Sequence, residues 1–485
     1  MRYLLVDETS ETRLEFIPSP EAALQSFSGR RIARWAGRYA ALLHRRGIRA
    51  GDRVALHLPN SPELVVALLG NHLLGVVTVP VISVATMTEL EYVAGRAEIS
   101  GLVGSDPFPG RVGMQLLKEE FWEAVQEQQG GFPESDDPEA PALLCFTSGT
   151  TARPKGVLLT HRNIRSNLRD LIQVWQWTRE DRLLLTLPLF HVHGLVVALH
   201  GWAMTGCRAI LTRKFDPTHV LDLLTHGGCT LFMGVPTMYH RMVSAFDPQI
   251  HSFDTLRLAI SGSAPMSVEL HRKCREMTGQ TILERYGMTE TIMNTSNPFH
   301  GRLPGSVGLP LPSVQLRLID DRMRDIREER QIGEVCVRGP NVFGGYWKDP
   351  EATSKAFLGD WLRTGDAGYR DENGYYHLVG RLSVDLIKSG GYRIGSREVE
   401  DVLERHPGVR EVAVVGLPDP DLGEKVAAFV VTDGTAGEED LAAHCRSALA
   451  LFKCPRVFLI VDSLPRNAMG KVTKPVLKTT RLDGS

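Results

Sequence analysis

Between the apolar run Ala142–Phe146 and the alternating run VLLTH at 157–161 lies Thr147-Ser148-Gly149-Thr150-Thr151-Ala152-Arg153-Pro154-Lys155-Gly156. Hydroxyls, closely approachable backbone amides and a lysine within ten residues make a cradle for phosphates. Clusters of Ser, Thr and Gly more often mark a plain hairpin turn, and the density of donors argues against that account. The Walker pattern needs Gly directly before Lys and Ser or Thr directly after it, whereas Lys155 lies between Pro154 and Gly156. A strand-like run, not a helix, follows the loop. Ordinary P-loop chemistry is therefore not expected. Farther along stand three more candidates: Glu290, Asp366 and Lys471. A carboxylate such as Glu290 suits Mg²⁺. Taken singly, each also has a plain reading: a solvated glutamate, an Asx turn after Gly365, and a solvated lysine.

The elements around these residues read as α/β. Arg53–Leu58 alternates like a strand, Glu63–Leu74 has helical spacing, and Val76–Val81 is β-branched and bounded by proline. That is a βαβ signal, which favours a parallel sheet. Further strands are expected at Leu183–Leu187, Arg208–Leu211, Leu231–Gly234 and Leu256–Ser261. Residues 1–380 thus read as one large α/β body. After Leu378 the texture changes to a short strand, the loop SGGYR, a helix Glu398–Arg405 closed by His406-Pro407-Gly408, strands Val409–Leu417 and Val426–Thr432, and a helix Glu438–Leu449. Residues 381–485 are accordingly expected to form a small, separate α+β domain.

Bulk properties narrow the function classes. A chain of 485 residues exceeds what one core supports, so two or more domains are expected. Its 55 Lys+Arg nearly cancel its 57 Asp+Glu, which leaves no global field to hold nucleic acid. Seven scattered cysteines without a CxxC pair exclude common zinc and redox frameworks and suit a reducing, cytoplasmic setting. No secretory signal is visible. The most apolar stretch, Leu64–Val81, is broken by Asn71 and His72, so no membrane span is expected.

The glycine-rich loop, taken with Tyr286-Gly287-Met288-Thr289-Glu290, Arg363-Thr364-Gly365-Asp366, Gly380-Arg381, Lys388-Ser389-Gly390-Gly391-Tyr392 and Pro465-Arg466-Asn467-Ala468-Met469-Gly470-Lys471, resembles the adenylate-forming superfamily of acyl-CoA synthetases, firefly-type luciferases and adenylation domains. These motifs occur in the family's order over nearly the whole chain. The resemblance implies a large multi-sheet α/β N-terminal body with a small mobile C-terminal domain. It also implies a reaction in which a carboxylate attacks the α-phosphate of ATP, pyrophosphate leaves, and coenzyme A takes the acyl group. Where the family usually has glycine in the loop, this chain has Ala152. If that position needs positive φ, the Cβ costs about 1 kcal/mol, and an altered loop rather than a dead one is expected.

By the same resemblance, Thr147, Ser148, Gly149, Thr150, Thr151 and Lys155 surround the phosphates, and Glu290 holds Mg²⁺ with help from Thr147. Ser261, Gly262, Ser263, Ala264 and Tyr286 resemble the adenine-contacting strands, Gly287, Met288 and Thr289 belong to the ATP site, Asp366 accepts from the ribose hydroxyls, and Arg381 assists. Lys471 is the catalytic lysine: it neutralises charge growing between carboxylate and α-phosphate, which raises rate rather than affinity. Ser389, Gly390 and Gly391 line the pantetheine path after the C-terminal domain rotates about Ser383 or Val384.

Within the superfamily the segments Leu187–Gly194, Gly234–Arg241, Glu284–Tyr286 and Leu386–Tyr392 are most similar to malonyl-CoA synthetases. A second carboxylate buried beside the adenine segment needs a fixed partner, and arginine grips one with two N–H groups. Arg285 is thus the expected clamp, supported by Arg241 and His193. The competing account pairs Arg285 with a neighbouring acid. His191 either gates the acyl pocket or packs in it. Methylmalonate or another short acid is the alternative substrate, and a nucleotide-binding regulator without catalysis the alternative class.

Overall fold

A computed structural model describes residues 12–110, 112–128, 130–147, 154–382, 385–390, 392–466 and 472–479. Two sheets with parallel cores form the bulk of the chain. The first has nine strands and includes, side by side, Leu283–Tyr286, Leu258–Ser261, Leu231–Gly234, Arg182–Leu185, Arg208–Thr212 and Arg13–Ile17, all parallel. The second has six: Met114–Leu117, Gly101–Gly104, Arg53–His57, Val77–Pro80, Pro141–Thr147 and Lys155–Thr160. Its last pair is antiparallel. One continuous hydrophobic cluster joins the two sheets, bringing Leu183 and Ala209 together with Val54, Leu143 and Val157.

The βαβ unit read from sequence is present, with its helix at Pro62–Leu74. Ser61 caps that helix by accepting from the Leu64 N–H, Pro62 occupies the first turn, and Gly75 ends it in the left-handed conformation at φ 75°. Asn71 and His72, which interrupt the apolar stretch, are fully buried, and each makes a hydrogen bond to another element. Asn71 donates to Thr78 at 3.0 Å, and the His72 and His200 Nε2 atoms lie 2.9 Å apart. Among the described residues no helix is long and apolar enough to cross a membrane.

The large multi-sheet α/β body is present, and it includes a sheet that the strand reading did not set apart. Gln315–Ile319, Gly333–Arg338, Trp361–Arg370 and Tyr376–Arg381 belong to a third, wholly antiparallel six-stranded sheet. Its strands alternate much as the others do, and alternation alone does not tell a parallel neighbour from an antiparallel one. Beyond it, Leu386–Ser389, Tyr392–Gly395, Val409–Asp419, Gly423–Thr432 and Val457–Ile460 make a separate sheet. The helices Ser396–Leu403 and Glu438–Ala448 accompany it, and it carries an apolar cluster on each face.

Candidate active site

The antiparallel pair Pro141–Thr147 and Lys155–Thr160 sets Thr147 directly opposite Lys155, so the glycine-rich loop leaves and returns at one point. Ser148, Gly149, Thr150, Thr151 and Ala152 lie outside the described residues. Below the loop's return, Trp347 N–H donates to the Gly156 carbonyl at 2.7 Å, and Tyr346 bridges to Val157. That seats the Tyr346 ring 5.0 Å from Lys155 Nζ, within cation–π range. The Tyr346 hydroxyl donates to Glu290 Oε1 at 2.9 Å. Lys155 and Glu290, far apart in sequence, therefore share one phenol. Sequence reasoning missed Tyr346; its place in Gly345-Tyr346-Trp347, without a charge or a metal-binding atom, gives no chemical signal by itself.

Glu290 is buried, and that burial pushes its carboxyl above the usual range despite the Tyr346 hydrogen bond and the Arg381 charge. A buried carboxylate of this kind gains from a cation. The donors fit Mg²⁺: a carboxylate and a hydroxyl, Glu290 and Thr147, are the hard oxygen ligands that ion takes. Mg²⁺ commonly takes one or two protein oxygens and leaves the rest to phosphate and water.

Next to this pair lies a second constellation. Asp366, buried on Trp361–Arg370, faces Arg381 across the antiparallel ladder. Its Oδ1 is 2.8 Å from Arg381 Nε, and its Oδ2 accepts from the Tyr286 hydroxyl at 2.5 Å. Asp366 is thus a strand residue braced from two sides, by Arg381 and by Tyr286. Arg381 also donates to the Thr364 carbonyl at 3.2 Å. Gly287, Met288 and Thr289 are half-buried between Tyr286 and Glu290. Glu290 feels the charges of both Arg381 and Asp366, so the two constellations occupy one region.

The arginine expected to clamp the acid lies one residue before Tyr286. Arg285 is 4% exposed, and its Nε and Nη2 have no partner among the described residues. Burial alone pushes its guanidinium down to about 9. The neighbouring acid, Glu284, is committed on the other side of the strand to His271 at 2.7 Å and to the Met266 and Gly305 N–H groups. The pairing that would have explained Arg285 away is therefore absent among the described residues. Gly262 lies flat on the guanidinium: a Cβ there would stand 2.3 Å from Arg285 Cζ.

His193 opens a wide-turn π-helix, His193–His200, a form often found at functional sites. Its Nδ1 lies 3.4 Å from Ser263 Oγ, and its buried Nε2 is unpartnered among the described residues. Burial, reinforced by the Arg285 charge, holds the imidazole well below its ordinary value and hence neutral. Ser263 itself is exposed, at φ +70°. His191 is half-buried against Phe190, and burial lowers its pKa too. Arg241 is exposed on the helix Pro236–Ala245, and among the described residues no hydrogen bond or ion pair joins it to Arg285 or His193.

In the C-terminal sheet, Ser389 is buried opposite Gly423, and Gly390 turns the chain at φ +56°, where its N–H donates to the Leu422 carbonyl at 2.9 Å. Gly391, Lys471 and the two hinge candidates Ser383 and Val384 lie outside the described residues. Asp385, just after the hinge, accepts from the Arg381 N–H at 2.9 Å and from Lys474 Nζ at 2.7 Å.

Residues 13–347 match the family described as AMP-binding enzyme, and residues 398–471 match the AMP-binding enzyme C-terminal domain. The chain is 37% identical to the malonate–CoA ligase ACSF3, mitochondrial, of Homo sapiens, over 88% of this chain and 82% of that one. It is 34% identical to a sulfoacetate–CoA ligase of Cupriavidus necator, over 88% and 87% respectively. Among solved structures, ATP-bound MatB from Rhodopseudomonas palustris superposes with a TM-score of 0.90 at 37% identity, covering 99% of this chain and 98% of that one. With these matches spanning both parts of a chain whose Lys155, Glu290, Tyr286, Asp366 and Arg381 converge, the protein belongs to the AMP-binding enzyme family.

Proposed function

We propose that this protein is an ATP-dependent, AMP-forming malonate–CoA ligase. The observation that carries the choice of acid is Arg285: a buried cation with two nitrogens, Nε and Nη2, that have no partner among the described residues, one residue from the tyrosine that braces Asp366. Fatty or aromatic acids have no group to satisfy it, and an unmatched guanidinium would penalise them. The malonate–CoA ligases among the relatives support the same choice.

In this reading the near carboxylate of malonate attacks the α-phosphate of ATP, and pyrophosphate leaves. The coenzyme A thiol then attacks the acyl-adenylate and AMP leaves. Arg285 and neutral His193 hold the far carboxylate and so orient the near one. Thr147, Lys155 and the loop hydroxyls meet the β and γ phosphates, while Asp366 and Arg381 take the ribose. Tyr286 with Gly287, Met288 and Thr289 forms the adenine slot. Mg²⁺, held by Glu290 and Thr147, supplies charge neutralisation between the phosphates when bound. Lys471 acts only while charge develops on the reacting oxygens, so its contribution is to rate.

Residues 1–380 form the adenylation domain and residues 381–485 the mobile domain that first brings Lys471 and then Ser389, Gly390 and Gly391 to the site. The seven cysteines are all free, six of them buried, which supports a reducing compartment, in our reading the cytoplasm. A screen of short mono- and dicarboxylates for coenzyme A-dependent pyrophosphate release tests the assignment. Malonate leading the screen is the expected result, and acetate or a medium-chain acid leading it would overturn the choice.

A further inference from the structure

We infer that the same pocket accepts a short carboxylic acid whose far group is a sulfonate, so that the protein also makes the coenzyme A thioester of sulfoacetate. This rests on the ligase reading above and extends its substrate class.

The argument is one of donors and acceptors. Nε and Nη2 of a guanidinium lie along one edge and point two N–H bonds in parallel; on Arg285 these two nitrogens have no partner among the described residues. A carboxylate fills that fork with its two oxygens. The third unpartnered nitrogen is Nε2 of His193, whose ring lies close enough to Arg285 for the cation to depress its protonation. With an anion in front of it, the favoured tautomer carries its proton on Nε2, and Nδ1 accepts from the Ser263 hydroxyl 3.4 Å away. The parallel N–H pair of the fork and the His193 Nε2–H then give three N–H bonds for the anion, the second Nη2 hydrogen lying outside the fork. A carboxylate must share one oxygen between two of them, whereas a sulfonate brings one oxygen to each.

Charge does not discriminate against the exchange. At neutral pH malonate and sulfoacetate both carry two negative charges, and each has a carboxylate one methylene from the far anion. Among the described residues no acid faces Arg285 to repel a third oxygen, because Glu284 is bonded to His271 behind the strand. Gly262 lies over the guanidinium face rather than along the Nε–Nη2 edge. The chemistry is unchanged: the carboxylate oxygen bonds to the α-phosphorus as the bond to pyrophosphate breaks. The thiol sulfur then bonds to the carbonyl carbon, loses its proton, and AMP departs. The sulfonate sulfur is neither oxidised nor reduced.

The test compares malonate, sulfoacetate and acetate in the full-length enzyme, by pyrophosphate release and by detection of the thioester. Sulfoacetate is expected within about 100-fold of malonate in kcat/KM. Acetate, which leaves the fork unmatched, is expected at least about 10³-fold below malonate. Arg285→Met should lower both diacids together. Arg285→Lys, which keeps the charge but loses the fork, should lower both by at least about tenfold, with unfolding temperatures verifying that each variant folds. Between about pH 7 and pH 5 the sulfoacetate-to-malonate ratio should rise, because only the far carboxylate of malonate takes up a proton. Use of malonate without sulfoacetate overturns this inference and leaves the ligase reading standing. Sulfoacetate turnover that survives Arg285→Met also overturns it. Turnover of neither diacid refutes both.

Discussion

Replacing Arg285 with methionine should make the protein more stable and a worse enzyme at once. The buried guanidinium is displaced from its usual range to about 9, equivalent to about 5 kcal/mol of unfavourable burial. Because 9 lies above neutrality, the group stays charged in the folded chain at pH 7. The penalty is therefore fully present below about pH 9 and relaxes only as the folded chain loses that proton at higher pH. Methionine fills similar space without a charge. Replacements of buried ionic groups by apolar ones suggest a gain of about 1–4 kcal/mol, read as a higher midpoint in chemical or thermal unfolding. Catalysis moves the other way. The far carboxylate of malonate would enter a buried pocket unpaired, a loss of about 3–5 kcal/mol, or about 10²–10⁴-fold in kcat/KM. Steady-state pyrophosphate release with malonate measures this, and acetate is the control that should not fall. A variant no more stable than the parent, with malonate kcat/KM within about threefold of it, would refute the reasoning.

Lys471→Ala should slow malonate-dependent pyrophosphate release by about 100-fold or more while leaving thioester formation from supplied malonyl-adenylate nearly intact; equal losses in both half-reactions would deny it a role confined to adenylation. Tyr346→Phe removes the hydroxyl on Glu290 Oε1 and should raise the Mg²⁺ concentration for half-maximal activity by about tenfold. Mg·ATP-dependent thermal stabilisation should weaken in parallel, and unchanged Mg²⁺ dependence in both assays would count against the contact. Burial raises the Glu290 pKa, so the folded chain carries a penalty for its charged form that is present above that pKa and relieved as pH falls through it. Activity should accordingly fail on the acid side above the ordinary glutamate range, and added Mg²⁺ should move that limb to lower pH. Gly390→Val, at φ +56°, should add about 1–2 kcal/mol of strain and slow thioester formation more than adenylation, as stopped-flow measurement of the two steps would show.

What the sequence disclosed follows from how local each signal is. The helix Pro62–Leu74 carries its own cap, proline and terminal glycine, and the strand after the glycine-rich loop carries its alternation, so both were legible. The antiparallel sheet running to Arg381 was not, although several of its pairs are chain neighbours, because alternation alone does not tell an antiparallel partner from a parallel one. At the site, the distinctive motif RTGD singled out Asp366, and the structure adds what braces it. Tyr346 was missed because its role lies in a contact with Glu290, 56 positions away. Whether Arg285 was paired also depended on where Glu284 points, which only the strand and the position of His271 decide.

The most direct measurement mixes the enzyme with malonate, ATP and Mg²⁺ and withholds coenzyme A. A burst of pyrophosphate close to one equivalent per active site, with malonyl-adenylate retained and converted to malonyl-CoA and AMP once coenzyme A is added, is the predicted result. The absence of malonate-dependent pyrophosphate under those conditions would contradict the account at its centre.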